Sequence, residues 1–207
     1  MLLWYGVWIG PVFIVVFLIE GTLRKGYYPM RQAVSALAIG PRGWIQQANF
    51  LITAILTLAY SLGLHFAMHG LLGSIMLPVL VSITGVGLIR AGLFVTDVTG
   101  LSEDRHKPTQ RTKNGRLHDQ FSLLVFASLF ITPFVYAYLS IQARHWDFAL
   151  YSILSALVLA LSLVLAVAGF RGVPKLTSFG GLFQRISICA EFIWLSIIAD
   201  HLTSNFI

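Results

Sequence analysis

The chain has 207 residues, of which 57% are hydrophobic and only 11% charged, and its mean hydropathy is +0.81. Soluble domains carry about 25% charged residues, so this composition excludes a water-soluble globule and leaves the bilayer as the solvent. A single cysteine, Cys189, excludes a disulfide framework and any cysteine-based zinc or iron–sulfur site.

Uninterrupted apolar length predicts six spans, at residues 3–20, 44–67, 71–96, 120–143, 148–170 and 182–203. Runs such as ALYSILSALVLALSLVLAVAGF lack the alternation of a barrel strand, so the spans are helices. The expected fold class is all-α: a polytopic membrane protein, one six-transmembrane-helix bundle over residues 1–207. The first span has no basic segment before it and no small-residue cleavage site, and Arg24 and Lys25 follow it, so it reads as a retained helix rather than a signal peptide.

Basic residues set the direction, because short loops rich in Lys and Arg stay cytoplasmic. Of the fourteen Lys and Arg, eleven fall in the first, third and fifth loops: Arg24, Lys25, Arg31, Arg42, Arg105, Lys107, Arg111, Lys113, Arg116, Arg171 and Lys175. Arg144 alone lies on the opposite side, and Arg90 and Arg185 lie within spans. Both termini are therefore expected outside the cytoplasm, in a multi-pass protein of the inner (plasma) membrane. The net charge of +6 is largely topological. Spread over loops that flank lipid spans, it points to anionic headgroups as partners and not to nucleic acid.

The first loop carries a second pattern. Pro29 can start a short helix and Gly40 can end it, with Met30, Val34 and Leu37 on one side and Arg31, Gln32 and Ser35 on the other, as in a segment resting on the membrane surface. The loop from Asp97 to Asp119 has a turn signal at Asn114-Gly115. Gly85, Gly87 and Gly92 suit close helix approach, and Trp4, Trp8, Trp44, Trp146 and Trp194 suit an aromatic belt. GWIQQANF, opening the second span, faintly echoes GLFQRISI, opening the sixth.

Ionisable groups inside spans are costly and are candidates for function by default. Arg90 lies seven residues, roughly 10 Å, inside Asp97 and on the same helix face. Glu191 lies nine residues, roughly 13 Å, beyond Leu182, so the two depths agree and an Arg90–Glu191 pair across the third and sixth helices is expected. Glu20, Gln47, Asn49, His118, Asp119 and Ser122 lie near the same depth, and Arg185 lies six residues before Glu191, on the cytoplasmic edge. One reading makes these groups buried ion pairs that hold the bundle, or Arg90 a snorkelling residue. The other makes them a pocket open to the cytoplasmic leaflet, where guanidinium groups grip a phosphate or carboxylate. Its ligand-binding residues would be Arg90, Asp97, Arg185, Glu191, Ser35, Asn49 and His118. His118 and Asp119 are the candidate acid and base, although Asp119 also suits a helix N-cap.

Four histidines map to the outer face: His65, His69, His145 and His201. His65 and His69 have helical ligand spacing, and with His201 they are the candidate metal or haem ligands. Their interfacial positions account for them without a ligand, so no cofactor is expected.

These residues carry a resemblance. YYPMRQAVSALAIGPRGW, RAGLFVTD, NGRLHDQFS and GLFQRISICAEFIWLS are similar to segments of a bacterial and archaeal family of six-span integral membrane proteins known as DUF998. The resemblance runs through nearly the whole chain after the first span. It implies that Ser35, Gly40, Gly43, Trp44, Gly92, Phe94, Asp97, His118, Gly181, Arg185 and Trp194 matter, most of them at the cytoplasmic side. Val95 and Val98 stand where the family often has proline. The family supports the fold and lends no activity.

Three functions fit. The first is a membrane protein with a cytoplasmic-leaflet polar pocket that binds or moves a lipid or amphipathic anion. The second is an intramembrane enzyme acting on a lipid headgroup. The third is a haem- or metal-binding or accessory subunit, in a homo-oligomer or a larger membrane complex. HExxH, P-loop and dinucleotide motifs are absent from the sequence. The charge asymmetry makes a direct prediction: a C-terminal alkaline phosphatase fusion is active and a C-terminal green fluorescent protein fusion is dark, and the reverse result inverts the topology.

Overall fold

The computed structural model describes residues 1–68, 73–97 and 111–206. These described residues form six α-helices: α1 (Trp4–Leu23), α2 (Gly43–Ala67), α3 (Gly73–Leu93), α4 (Lys113–Gln142), α5 (Trp146–Phe170) and α6 (Gly180–Phe206). All six are long and apolar enough to cross a membrane, and the described residues contain no strand. Consecutive helices pack side by side and α6 returns to pack on α1, which closes an up-and-down ring. Both termini lie at one end of it. The first and fifth loops and the described ends of the third lie at the other, called here the basic end.

Small residues let the ring close. Gly6 of α1 sits so near Ala199 of α6 and Tyr60 of α2 that a Cβ would lie 2.5 Å from each, and the Gly10 amide donates to Ser196 Oγ at 2.9 Å. The glycines of α3 serve as expected: Gly85 packs on Leu58, Gly87 on Val125 and Gly92 on Phe50. Trp194 departs from the belt pattern. It is buried, donates to Ser152 Oγ at 2.9 Å and meets Tyr136 edge-on at 5.8 Å, because its indole N–H finds an acceptor in the interior. Exposed side chains such as Ile55, Leu123, Leu161 and Val164 coat the outside, as lipid requires.

Two boundaries differ from expectation. The helix α3 stops at Leu93, so Asp97 is not on its face with Arg90, and α4 starts at Lys113, seven residues before the expected span. The cause is a cap. Thr112 Oγ1 accepts from Gly115 N at 2.9 Å, while the Asp97 carboxylate accepts from Thr112 N at 2.9 Å and Thr112 Oγ1 at 2.6 Å. Gly115 lies inside the first turn of α4 rather than in a reverse turn, since a Cβ there would be driven into the Asp97 carboxylate.

The first loop differs more. It contains only a 3₁₀ turn, Val34–Ala38, and instead of resting on the surface it is tucked into the basic end of the ring. Val34, Leu37 and Ala38 are buried, against α1, α2 and α6. Close backbone approaches fix it: a Cβ on Gly43 would strike the carbonyl of Ala38, and one on Gly181 would strike those of Pro29 and Gln32. Gly43→Ala and Gly181→Ala should therefore each cost about 1–3 kcal/mol, as overpacking does, and lower the melting temperature of the detergent-solubilised protein. An unchanged melt would show that the loop can move aside.

Candidate functional site

The ring encloses a cavity of about 50 Å³ toward its basic end. Phe13 of α1, Phe50 of α2, Leu88 and Ala91 of α3, His118, Ser122, Val125 and Phe126 of α4, and Gln184, Ile188 and Phe192 of α6 form its wall. Val34 and Ser35 of the 3₁₀ turn complete the lining. Phe13 organises the aromatic part, stacked on Phe192 at 4.7 Å and tilted on Phe50 at 5.4 Å. Polar groups are few: His118, Ser35, Ser122 and Gln184.

His118 is buried, and its Nδ1 lies 3.0 Å from the Ala91 carbonyl and 2.8 Å from that of Phe94. Both partners are acceptors, so Nδ1 carries a proton and caps the last turn of α3. No protein group hydrogen-bonds Nε2 among the described residues. Phe50 meets the ring edge-on at 6.2 Å. Asp119 points elsewhere and pairs with Arg111 at 2.8 Å near the surface. The adjacent residues thus diverge, as neighbours on a helix do, and form no acid–base pair. Nor does Asp119 cap α4, because Thr112 does.

The arginines have other work. The Arg185 side chain is buried, and Nη1 donates to the carbonyls of Pro29, Gln32 (3.0 Å) and Gly181 (2.9 Å), while Nη2 donates to the Tyr27 hydroxyl. Its guanidinium also lies over the rings of Phe17 at 5.9 Å and Tyr27 at 5.5 Å. Burial pushes the Tyr27 phenol above its ordinary pKa against the pull of Arg185 and Arg24. It stays neutral and donates onward to Ala33 O at 2.9 Å.

The expected Arg90–Glu191 pair does not form. Arg90 is exposed, with its guanidinium 5.7 Å from the centre of the Phe121 ring. Glu191 is fully buried, and neither carboxylate oxygen has a hydrogen-bond partner among the described residues. Equal depth misled because α3 and α6 stand opposite each other in the ring and Arg90 faces outward.

Of the sequence-derived ligand residues, the structure brings only Ser35 and His118 into the cavity wall. Asn49 lies just behind it, buried, with Nδ2 donating to Phe13 O at 3.0 Å. Asp97 caps α4. Arg185 holds the first loop. At the opposite end, the His201 ring packs against Phe148 at 3.8 Å and His145 at 5.5 Å, and His65 packs on Phe66 at 5.5 Å. His69 lies outside the described residues. No three His, Cys, Asp or Glu side chains converge among the described residues.

Sequence reasoning missed Gln184, and it placed Glu20 at inner-leaflet depth without its partners. Gln184 lines the cavity and accepts from Val34 N at 2.8 Å through Oε1; nothing local marks it. Glu20 is buried, bound by Arg24 at 2.7 Å and Arg42 at 2.6 Å, and ties α1 to the start of α2. The i,i+4 spacing of Glu20 and Arg24 was a readable signal.

Replacing Arg185 by Lys keeps the charge and loses the fork that spans three carbonyls and a hydroxyl. Arg185→Lys should cost about 2 kcal/mol from lost charged hydrogen bonds and speed tryptic cleavage at Lys25 and Arg31. Unchanged cleavage would mean the loop is held by its apolar contacts.

A family model described as "Protein of unknown function (DUF998)" matches residues 7–201. No curated protein matches the chain, and no solved structure does.

Proposed function

The chain belongs to the DUF998 family of membrane proteins, and for it we propose the binding of an amphipathic lipid-like molecule in the cavity at the basic end of the ring. The cavity itself carries this reading: a mostly apolar space on the ring axis, entered by a few polar groups with unspent hydrogen-bonding capacity, is the usual form of a small-molecule site. The asymmetry of Lys and Arg supports placing this end at the cytoplasmic leaflet of the plasma membrane, where membrane lipids are the available partners.

Size limits what enters. A water needs about 10–15 Å³, and an engineered cavity of 150 Å³ takes benzene, so 50 Å³ suits the end of one alkyl chain or a small polar terminus. The half-buried lining residues Ser35, Ser122, Phe126 and Gln184 form the side by which the rest of such a molecule would extend. The anion grip suggested by the arginines finds no support, since Arg24, Arg42 and Arg185 are engaged and Arg90 is outside the cavity.

Mass spectrometry of lipids that co-purify with the full chain tests the proposal. Ser122→Trp, which fills the cavity from a half-buried position, should reduce the bound species by about tenfold, equivalent to about 1.4 kcal/mol of lost contact, while the protein remains folded. Equal lipid content in the folded variant would overturn the cavity as the site.

A further inference from the structure

The cavity reading leaves the most expensive group of the interior unused. Glu191 stands on the turn of α6 between Ile188 and Phe192, and both of those residues line the cavity. It is fully buried, and both carboxylate oxygens lack a hydrogen-bond partner among the described residues. An ionisable group so placed in a membrane helix is normally paired. The nearby cations are engaged: Arg185 by carbonyls and Tyr27, Arg24 and Arg42 by Glu20.

A second observation concerns hydrogen-bond sense. Five buried side-chain atoms lack a partner among the described residues, and four are oxygens: both of Glu191, Asn49 Oδ1 and Thr53 Oγ1, the fifth being Gln46 Nε2. Phe13 bridges the two places, stacked on Phe192 beside Glu191 and accepting from Asn49 through its carbonyl. Three of the five accept only, one donates only and the Thr53 hydroxyl can do either, so unmatched acceptors predominate, and none of these groups carries positive charge. Four phenylalanines, at positions 13, 50, 126 and 192, add ring faces that attract cations.

We propose that the ligand of this cavity is a single-chain amphipathic amine, whose primary ammonium is held by Glu191; this rests on the cavity reading above. A primary ammonium brings the missing charge together with three donors, whereas a quaternary ammonium brings no N–H. A phosphodiester headgroup is disfavoured twice, by a volume of about 50 Å³ and by the absence of a cation among the lining residues.

The experiment uses the full chain released from non-ionic detergent into a native mass spectrometer, with tetradecylamine, tetradecanol and tetradecanoate as probes. The wild type should bind the amine at least about tenfold more tightly than the alcohol, the size of one charged hydrogen bond. Glu191→Gln should abolish that preference and leave alcohol binding unchanged, while Glu191→Asp should keep part of it. Should Glu191→Gln fail to fold, the wild type's order among the three probes still decides. Equal binding of amine and alcohol, a preference for tetradecanoate, or an amine preference that survives in Glu191→Gln overturns the amine assignment and leaves the cavity standing. Binding of none of the three, with co-purified lipid unaffected by Ser122→Trp, removes the cavity reading and this one with it.

Discussion

The basic end of the ring depends on one guanidinium. Between α1 and α2 the chain is irregular, and irregular backbone at or near membrane depth must find donors and acceptors inside the protein. Arg185 supplies the donors, reaching the carbonyls of Pro29, Gln32 and Gly181, and its neighbours on α6 complete the job. Leu182 N donates to Met30 O at 3.0 Å, and Gln184 Oε1 accepts from Val34 N at 2.8 Å. The first two turns of α6 thus act as a template for the first loop. Because the templated segment carries Val34 and Ser35 into the cavity lining, the floor of the cavity is a consequence of Arg185 although Arg185 does not touch the cavity.

The same logic governs the junction of α3 and α4. Phe94 N still donates to Arg90 O at 2.9 Å, but the carbonyls of Ala91 and Phe94 at the end of α3 need other donors, and His118 of α4 covers both. In return Asp97, just past α3, anchors Thr112, the cap of α4. Each helix end is finished by a residue from the other helix. A histidine and an aspartate that look catalytic by type are used here to terminate helices, and only the second nitrogen of His118 is left over for chemistry.

The fold was legible because its signals are long: six apolar stretches, and basic residues sorted by loop. The packing role of Gly85, Gly87 and Gly92 was legible for the same reason, since glycine in a span has few other uses. Helix ends were less so. Asn114-Gly115 has the form of a turn and sits in a helix, because the Asp97–Thr112 contact that starts α4 joins residues fifteen apart. The interior charges were hardest. Depth can be counted along a helix, but the direction a side chain faces depends on which helices are neighbours, and in a closed ring α3 and α6 are not. Arg90 and Glu191 share a depth and no contact. The Glu20–Arg24 pair, one helical turn apart, is the ion pair whose spacing could have been read locally.

What remains after these assignments is a charge inventory. Among the described residues, every arginine with access to the interior is bound to carbonyls or to Glu20, and the one interior carboxylate without a hydrogen-bond partner is Glu191. Insertion scales put the cost of a charged residue near a helix centre at about 2.5–3.5 kcal/mol, and a glutamine of nearly the same shape would avoid the charge. A fold could carry that cost as a purely structural residue only if the carboxylate earned hydrogen bonds in return, as Glu20 does from two arginines. Glu191 receives none from the described residues, and its helix neighbours Ile188 and Phe192 line a cavity that is largely aromatic and apolar. On the proposed reading, the unpartnered Glu191 carboxyl argues for the opposite ligand from the one the basic sequence suggests: the arginines are consumed in building the site, and an acidic group is left to meet a ligand.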